Sequence, residues 1–242
     1  MAYLTRTADG TGAVTFASDL NITLNDNLTV RLADGSASST MVIAGPLAGP
    51  DKSLQKEGNG LTLSLAGANT YSGETRILAG ILSLDHRLAL QNSVLDTLNS
   101  IAGNATNGLR TTVTMLTLGG LTGDKNLAAV FAISSGGYSG VTALTLNPEC
   151  GAAFTYSGGI ANGAPGMTLT KTGSGTQILS GTNTYTGTTT ISANSGTLKS
   201  VVRVSSATAL MPEPSPSAAA RFSDTAAVPP RRSAGPSAEW EP

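Results

Sequence analysis

The stretch Leu169 to Lys199, LTKTGSGTQILSGTNTYTGTTTISANSGTLK, decides how this chain folds. Short runs that alternate apolar and polar residues are broken by glycines wherever a chain could turn, which is the pattern of short strands. A second copy, LQKEGNGLTLSLAGANTYSGETRILAGIL, runs from Leu54 to Leu82. Superposing the two pairs Lys56 with Lys171, Gly58 with Gly173, Gly60 with Gly175 and Gly67 with Gly181. It then pairs Asn69, Thr70 and Tyr71 with Asn183, Thr184 and Tyr185, Gly73 with Gly187, Ile77 with Ile191 and Gly80 with Gly196. The glycines and the Asn-Thr-Tyr motif stay while the connecting loops change length by one or two residues, so the repeat is a structural module. Acidic positions differ: Glu57 faces Thr172 and Glu74 faces Thr188. The shared positions therefore specify how the chain coils, and any activity must lie in residues the copies do not share.

Composition agrees with a layered β structure. Charged residues make up 12% of the 242, about half the usual share, and aromatics 4%. A core with few aromatics must be built from many small layers, as stacked coils are. The net charge of −1 gives no electrostatic footprint for nucleic acid. Cys150 is the sole cysteine, so no intrachain disulfide or cysteine-based metal site forms, and it reads as a small buried hydrophobe. No run approaches the roughly 18 apolar residues of a membrane span. The opening MAYLTRTADG lacks a basic stretch followed by an apolar one and does not read as a signal peptide.

Outside the module the same short strands recur. VTF (14–16), NITL (21–24), LTVRL (28–32) and TMVIA (40–44) alternate between Asn, Asp and Gly breaks. Thr111 to Leu118 alternates cleanly and is expected to stop at Gly119-Gly120; Leu127 to Ile133, Val141 to Leu146, Ala152 to Tyr156 and Val201 to Val204 follow as strands. A helix competes only in Leu84 to Ile101, where Asp85 could cap and Leu88, Leu95, Leu98 and Ile101 fall roughly on one face; one or two turns at most are expected. Strands this short and even suit a sandwich, a barrel or a β-solenoid. The repeat favours the solenoid, which turns the same corner in each coil. With about 22 residues per coil and stacking at about 4.8 Å, residues 1–204 would make about nine coils. From about Ser205 the sequence becomes rich in Pro, Ser and Ala without periodicity, so 205–242, including Trp240, is expected to be a disordered tail.

The residues quoted above resemble the passenger-associated transport repeat, also called the autotransporter-associated β-strand repeat, whose pattern is L-T-K-x-G-x-G-x-L-x-L-x-G-x-N-T-Y-x-G-x-T-x-I-x-x-G-x-L. Residues 169–198 match nearly all of it apart from the inserted Asn194-Ser195, and residues 54–82 match with one extra residue near Ser64-Leu65. The resemblance covers about residues 10–204. It implies an all-β, right-handed single-stranded parallel β-helix within a secreted or surface-exposed bacterial passenger, with the repeat assisting folding and export rather than catalysis. The amphipathic strands of an outer-membrane translocator barrel are not present in this sequence. Met211-Pro212-Glu213-Pro214-Ser215 resembles the opening of a PEP-CTERM sorting signal, but Arg221 follows Ala218-Ala219-Ala220 at once where an apolar stretch belongs. The tail therefore reads as a truncated or frame-shifted remnant of such a signal.

Chemistry-bearing clusters are sparse. A polysaccharide lyase or hydrolase on a β-helix needs clustered carboxylates, or a basic residue for proton abstraction, and the acidic residues here are dispersed. Asp85-His86-Arg87, with the sole histidine, is the densest polar cluster and reads as a surface turn. The pieces Gly58-Asn59-Gly60, Gly173-Ser174-Gly175 and Ser135-Gly136-Gly137 lack phosphate-loop spacing and read as corners. The recurring Asn-Thr-Tyr reads as a corner in which Asn bonds backbone and Tyr covers the edge of the coil; the competing reading is an exposed ligand ladder. Threonine rows such as Thr186 to Thr190 also suit an ice-binding or adhesive face. The sequence thus points to a non-enzymatic structural or adhesive module without cofactor or metal, monomeric, whose partners would be glycans or extracellular-matrix or surface polymers. The rival is a carbohydrate-active β-helix.

Overall fold

In a computed structural model the described residues are 1–6, 12–32, 38–132, 137–149, 151–193, 195–200 and the strand Arg221–Asp224. They form a parallel β-solenoid. Its spine is a nine-stranded sheet whose strands stack strictly in chain order: Ala2–Arg6, Leu28–Leu32, Leu54–Lys56, Glu74–Ile77, Leu90–Asp96, Met115–Thr122, Ala143–Leu146, Thr168–Lys171 and Thr189–Ile191. A second face carries Ala13–Phe16, Ser39–Ile43, Leu61–Leu65, Ile81–Leu84 and Gly108–Thr111. A third carries Ala153–Tyr156, Thr176–Leu179, Thr197–Ser200 and Arg221–Asp224. Every pairing is parallel, as a chain must pair when each strand is followed one coil later by its neighbour. At about 4.8 Å per strand the nine-stranded sheet extends on the order of 40 Å.

Inward positions line up in columns because the register repeats. Leu54 pairs with Leu28 and Thr75, Leu144 with Leu116 and Leu169, and Leu63 with Met41 and Leu82. These leucines form one continuous buried cluster running the length of the coil stack. Outward neighbours remain half-buried, as the alternation requires.

Three expectations from the sequence are corrected. Residues 84–101 form no helix: Leu90–Asp96 is a strand of the spine, with Leu90, Val94 and Leu95 buried. Ser93, a poor helix residue, is also buried there and bonds Thr75 Oγ1 (2.7 Å) and the Gly73 carbonyl (2.6 Å) of the preceding coil. Gly119-Gly120 does not stop its strand, which continues to Thr122. A Cβ at Gly119 would lie 2.2 Å from the Asn92 carbonyl carbon, and one at Gly120 2.4 Å from the Phe154 ring, so both glycines allow neighbouring segments to approach. Leu127–Val130 is one helical turn rather than a strand. Leu127 and Val130, three apart, point inward while Ala128 and Ala129 are exposed, the spacing of a helix and not of a strand. Ile133, Cys150, 201–204, Met211-Pro212-Glu213-Pro214-Ser215 and Trp240 lie outside the described residues.

The repeat glycines sit where coils touch. A Cβ at Gly67 would come 2.3 Å from the Gly45 carbonyl oxygen of the preceding coil, and at Gly181 2.2 Å from that of Gly158. Gly181→Ala should therefore destabilise the solenoid by about 2 kcal/mol or more, whereas Gly140→Ala, which meets no atom within 4 Å, should stay within about 0.5 kcal/mol of wild type. Urea denaturation of the two variants checks this, and equal midpoints would remove the close-approach argument.

Candidate functional site

The charged residue common to both copies lies in the interior. Lys56 and Lys171 end their spine strands with side chains wholly buried. Lys56 Nζ donates to the carbonyls of Glu57 (2.6 Å), Gly58 (3.0 Å) and, one coil on, Ala79 (2.9 Å). Lys171 Nζ donates to Thr172 (2.5 Å), Gly173 (2.8 Å) and, one coil on, Ser195 (2.6 Å). Three ammonium hydrogens thus meet three carbonyls that a tight corner turns inward. Gly58 (φ 78°) and Gly173 (φ 64°) make that corner in a left-handed conformation which suits glycine. Gly60 and Gly175 follow two residues later; Gly60 is also left-handed (φ 77°), while a Cβ at Gly175 would strike the Glu149 carbonyl oxygen at 2.1 Å. Burial pushes the Lys56 amine down to about 7, against the pull of Glu57, and that of Lys171 down to about 8.

In the Asn-Thr-Tyr motif the first and third residues are inside. Asn69 Oδ1 accepts from Leu47 N of the coil before (2.9 Å) and its Nδ2 donates to the Ala89 carbonyl of the coil after (2.9 Å). Asn183 Oδ1 accepts from Ile160 N (3.0 Å), while its buried Nδ2 has no partner among the described residues. Tyr71 and Tyr185 do not cover the edge of the coil; they are core residues, 0% and 1% exposed, because Thr70 and Thr184 take the outward place in the alternation. Their hydroxyls bond Thr75 Oγ1 (2.8 Å) and Thr189 Oγ1 (2.6 Å), and burial pushes both phenols up. Gly73 and Gly187 close the motif against backbone of the preceding coil, Lys52 and Gly166 respectively. The exposed-ladder reading therefore fails for Asn and Tyr.

The outer face differs along the rod. On adjacent coils Arg76 lies between Glu74, which its Nη2 pairs with, and Asp96, bonded from Nε at 2.8 Å. Sequence reasoning, which took the acidic residues as dispersed, missed this group; the parallel register that sets Val94 opposite Glu74 brings it together. Burial pushes the Asp96 carboxyl up, but bonds from Asn99 N (3.1 Å), Asn99 Nδ2 (2.7 Å) and Arg76 outweigh it and hold the group below its ordinary value. Such a carboxylate is committed to structure and is a poor proton donor or acceptor. Farther along, Thr117, Thr145, Thr170 and Thr190 stand in register on four successive strands as a half-exposed uncharged row. Thr182, Thr184 and Thr186 are exposed on the connection between Thr176–Leu179 and Thr189–Ile191. Among the described residues no group of three or more His, Cys, Asp or Glu could hold a metal ion, and no helix is long and apolar enough to cross a membrane.

With its repeated lysine, asparagine and tyrosine turned inward and bonded within the stack of coils, the chain belongs to the class of parallel β-solenoids. The passenger-associated-transport-repeat pattern matches residues 54–84 and 169–199, the two copies described above, so the chain carries two copies of this repeat. It is 32% identical over 185 residues to "Adhesin BmaC autotransporter" of Brucella suis biovar 1 (strain 1330), a match covering 75% of this chain and 5% of that protein. The chain thus spans a small fraction of the length of the curated relative it matches. No solved structure matches it.

Replacing either buried lysine by methionine strands three carbonyls, so Lys56→Met and Lys171→Met should each cost about 2–4 kcal/mol in denaturant unfolding. The pH dependence has a definite sign. Each folded pKa is depressed below 10.5, so between about 7 (Lys56) or 8 (Lys171) and 10.5 the unfolded chain binds a proton the folded one lacks. Wild-type stability should be flat in this respect below pH 7 and rise towards pH 10, where ionisation of tyrosine in the unfolded chain opposes it. The rise should vanish in the double Met variant; a wild-type stability that falls over that range sinks the assignment.

Proposed function

We propose that this chain is a non-catalytic segment of a bacterial surface-exposed passenger, acting as a stiff adhesive scaffold, with its two repeats assisting passenger folding and export. The observation that carries this reading is the division between the two sides of the repeat. The shared Lys and Asn point inward and bond backbone of adjacent coils and the shared Tyr points inward onto a threonine hydroxyl, whereas the outward pairs Glu74/Thr188 and Arg76/Thr190 differ between the copies. A repeat built in this way supplies coil-to-coil cohesion as each coil is added, which suits a chain that folds progressively. The adhesin relative supports a surface role, and glycans or extracellular-matrix or surface polymers are the partners its uncharged threonine rows fit. A monomeric rod is the state proposed.

The carbohydrate-active alternative would rest on Glu74, Arg76 and Asp96, and their mutual pairing argues against it. The test is to pass the purified chain over a panel of immobilised polysaccharides and matrix proteins while following reducing ends and unsaturated uronide absorbance. Retention without turnover is expected. Turnover abolished by Asp96→Asn would replace this proposal with the enzymatic one.

A further inference from the structure

A groove of about 430 Å³ lies where the turn after Ile81–Leu84 meets the turn between Gly108–Thr111 and Met115–Thr122 on the next coil. Its lining includes Asp85, His86, Arg87, Thr112, Thr114 and Met115. That volume lies within the range of small-molecule sites, roughly 300–1,000 Å³. The side chains around it are arranged unequally. Asp85 is occupied: Ser83 Oγ (2.8 Å) and Thr112 Oγ1 (2.9 Å) donate to its Oδ1, and Ser64 Oγ (2.5 Å) to its Oδ2. Arg110 Nε donates to Ser83 Oγ (3.2 Å), which places a second cation behind the carboxylate. His86 Nδ1 accepts from Leu88 N (3.1 Å), which leaves Nε2 as the donor of the ring. Arg87 is exposed and, among the described residues, pairs with no carboxylate; its position is fixed through its backbone carbonyl, which accepts from Thr117 N (2.9 Å). Met115, 49% exposed, and Val113 supply an apolar floor.

The geometry points to a binding site for a carboxylate-bearing sugar unit of an acidic polysaccharide, with Arg87 as the anion-binding residue. Asp85, the one carboxylate of the lining, is saturated by three hydroxyls, while Arg87 is exposed beside it without a carboxylate partner among the described residues, so an anion is what the groove can still take. A guanidinium fork matches a carboxylate bidentately. The Nε2 hydrogen of His86 and the Thr114 hydroxyl add donors for ring or hydroxyl oxygens, while Met115 and Val113 offer a surface for the C–H face of a pyranose. Because the groove is formed by turns of two successive coils, its shape depends on their stacking and not on a mobile loop. The proposal rests on the adhesive reading above and deepens it by naming the ligand class and its place.

The test is an NMR titration of the whole chain with sodium D-glucuronate, against D-glucose and sodium acetate at equal concentration and fixed ionic strength. Saturable shifts at His86, Thr112 and Thr114 are expected with glucuronate, with binding about tenfold weaker or more for both controls. Arg87→Gln, at an exposed position, should leave the fold intact and remove that preference. Met115→Glu should weaken glucuronate more than glucose, because it adds charge repulsion to the loss of apolar floor that both sugars meet. No saturable binding, acetate binding as tight as glucuronate, or an unaltered Arg87→Gln overturns the site. Any of these results with surface retention preserved in the panel assay leaves the adhesive reading standing, whereas loss of retention on every surface rejects that reading itself.

Discussion

Each repeat of this solenoid depends on closing a corner at which three backbone carbonyls point away from water. A carbonyl left there without a donor would cost as much as a lost hydrogen bond, and a corner presents several together. Lys56 and Lys171 supply one ammonium group to all three, and in both cases the third carbonyl, of Ala79 or Ser195, belongs to the following coil. The same bond therefore completes one corner and fastens the next to it. Burying the charge is expensive, which is why both amines are displaced downward, but three carbonyl dipoles at 2.5–3.0 Å are what an ammonium group accepts in place of its hydration shell.

The remaining interior follows the same logic with smaller groups. Tyr71, Thr75 and Ser93 bond in series and end on the Gly73 carbonyl, joining successive coils through side chains that each bring both a donor and an acceptor. Asn69 does this with its amide, taking an N–H from the coil before and giving an N–H to the coil after. Gln177 reaches further, gripping both the N–H and the carbonyl of Leu121. Columns of leucine between these polar columns exclude water and strengthen the bonds inside. A core of thin repeating layers needs no large aromatics to fill it, which accounts for the 4% aromatic content.

Coil-level architecture was legible because recurrence is a property of the chain itself: two copies with the same glycines demand the same corner twice. Side-chain direction was less so. Lys56 and Lys171 are as conspicuous in the sequence as any glycine, yet a lysine reads as exposed until the inward carbonyls that hold it are known. Tyr71 and Tyr185 could have been placed inside by following the alternation from Asn through the outward Thr. Residues 84–101 misled because leucines three and four apart imitate a helix, and only pairing of Val94 and Leu95 with the coil before decides for a strand. Groups assembled across coils, such as Arg76 with Asp96 or Asp85 with Ser64 and Thr112, were hidden for a simpler reason. Their members are 20 to 27 residues apart, and coil lengths vary too much for spacing alone to align them.

Fixing the inside leaves the outside to vary along the rod. At the first repeat the spine shows Glu74 and Arg76 around the inward Thr75; at the second the same places hold Thr188 and Thr190 around the inward Thr189. The inward threonine keeps its bond to tyrosine in both, so changing the pair beside it from an ion pair to two hydroxyls leaves the coil's own bonds intact. A charged patch near one repeat thus gives way to the uncharged row Thr117, Thr145, Thr170 and Thr190 near the other. A scaffold whose stability lies in inward columns can present different chemistry on successive coils, and the groove beside Arg87 occupies the stretch between the two repeats, where no repeat constrains what faces out.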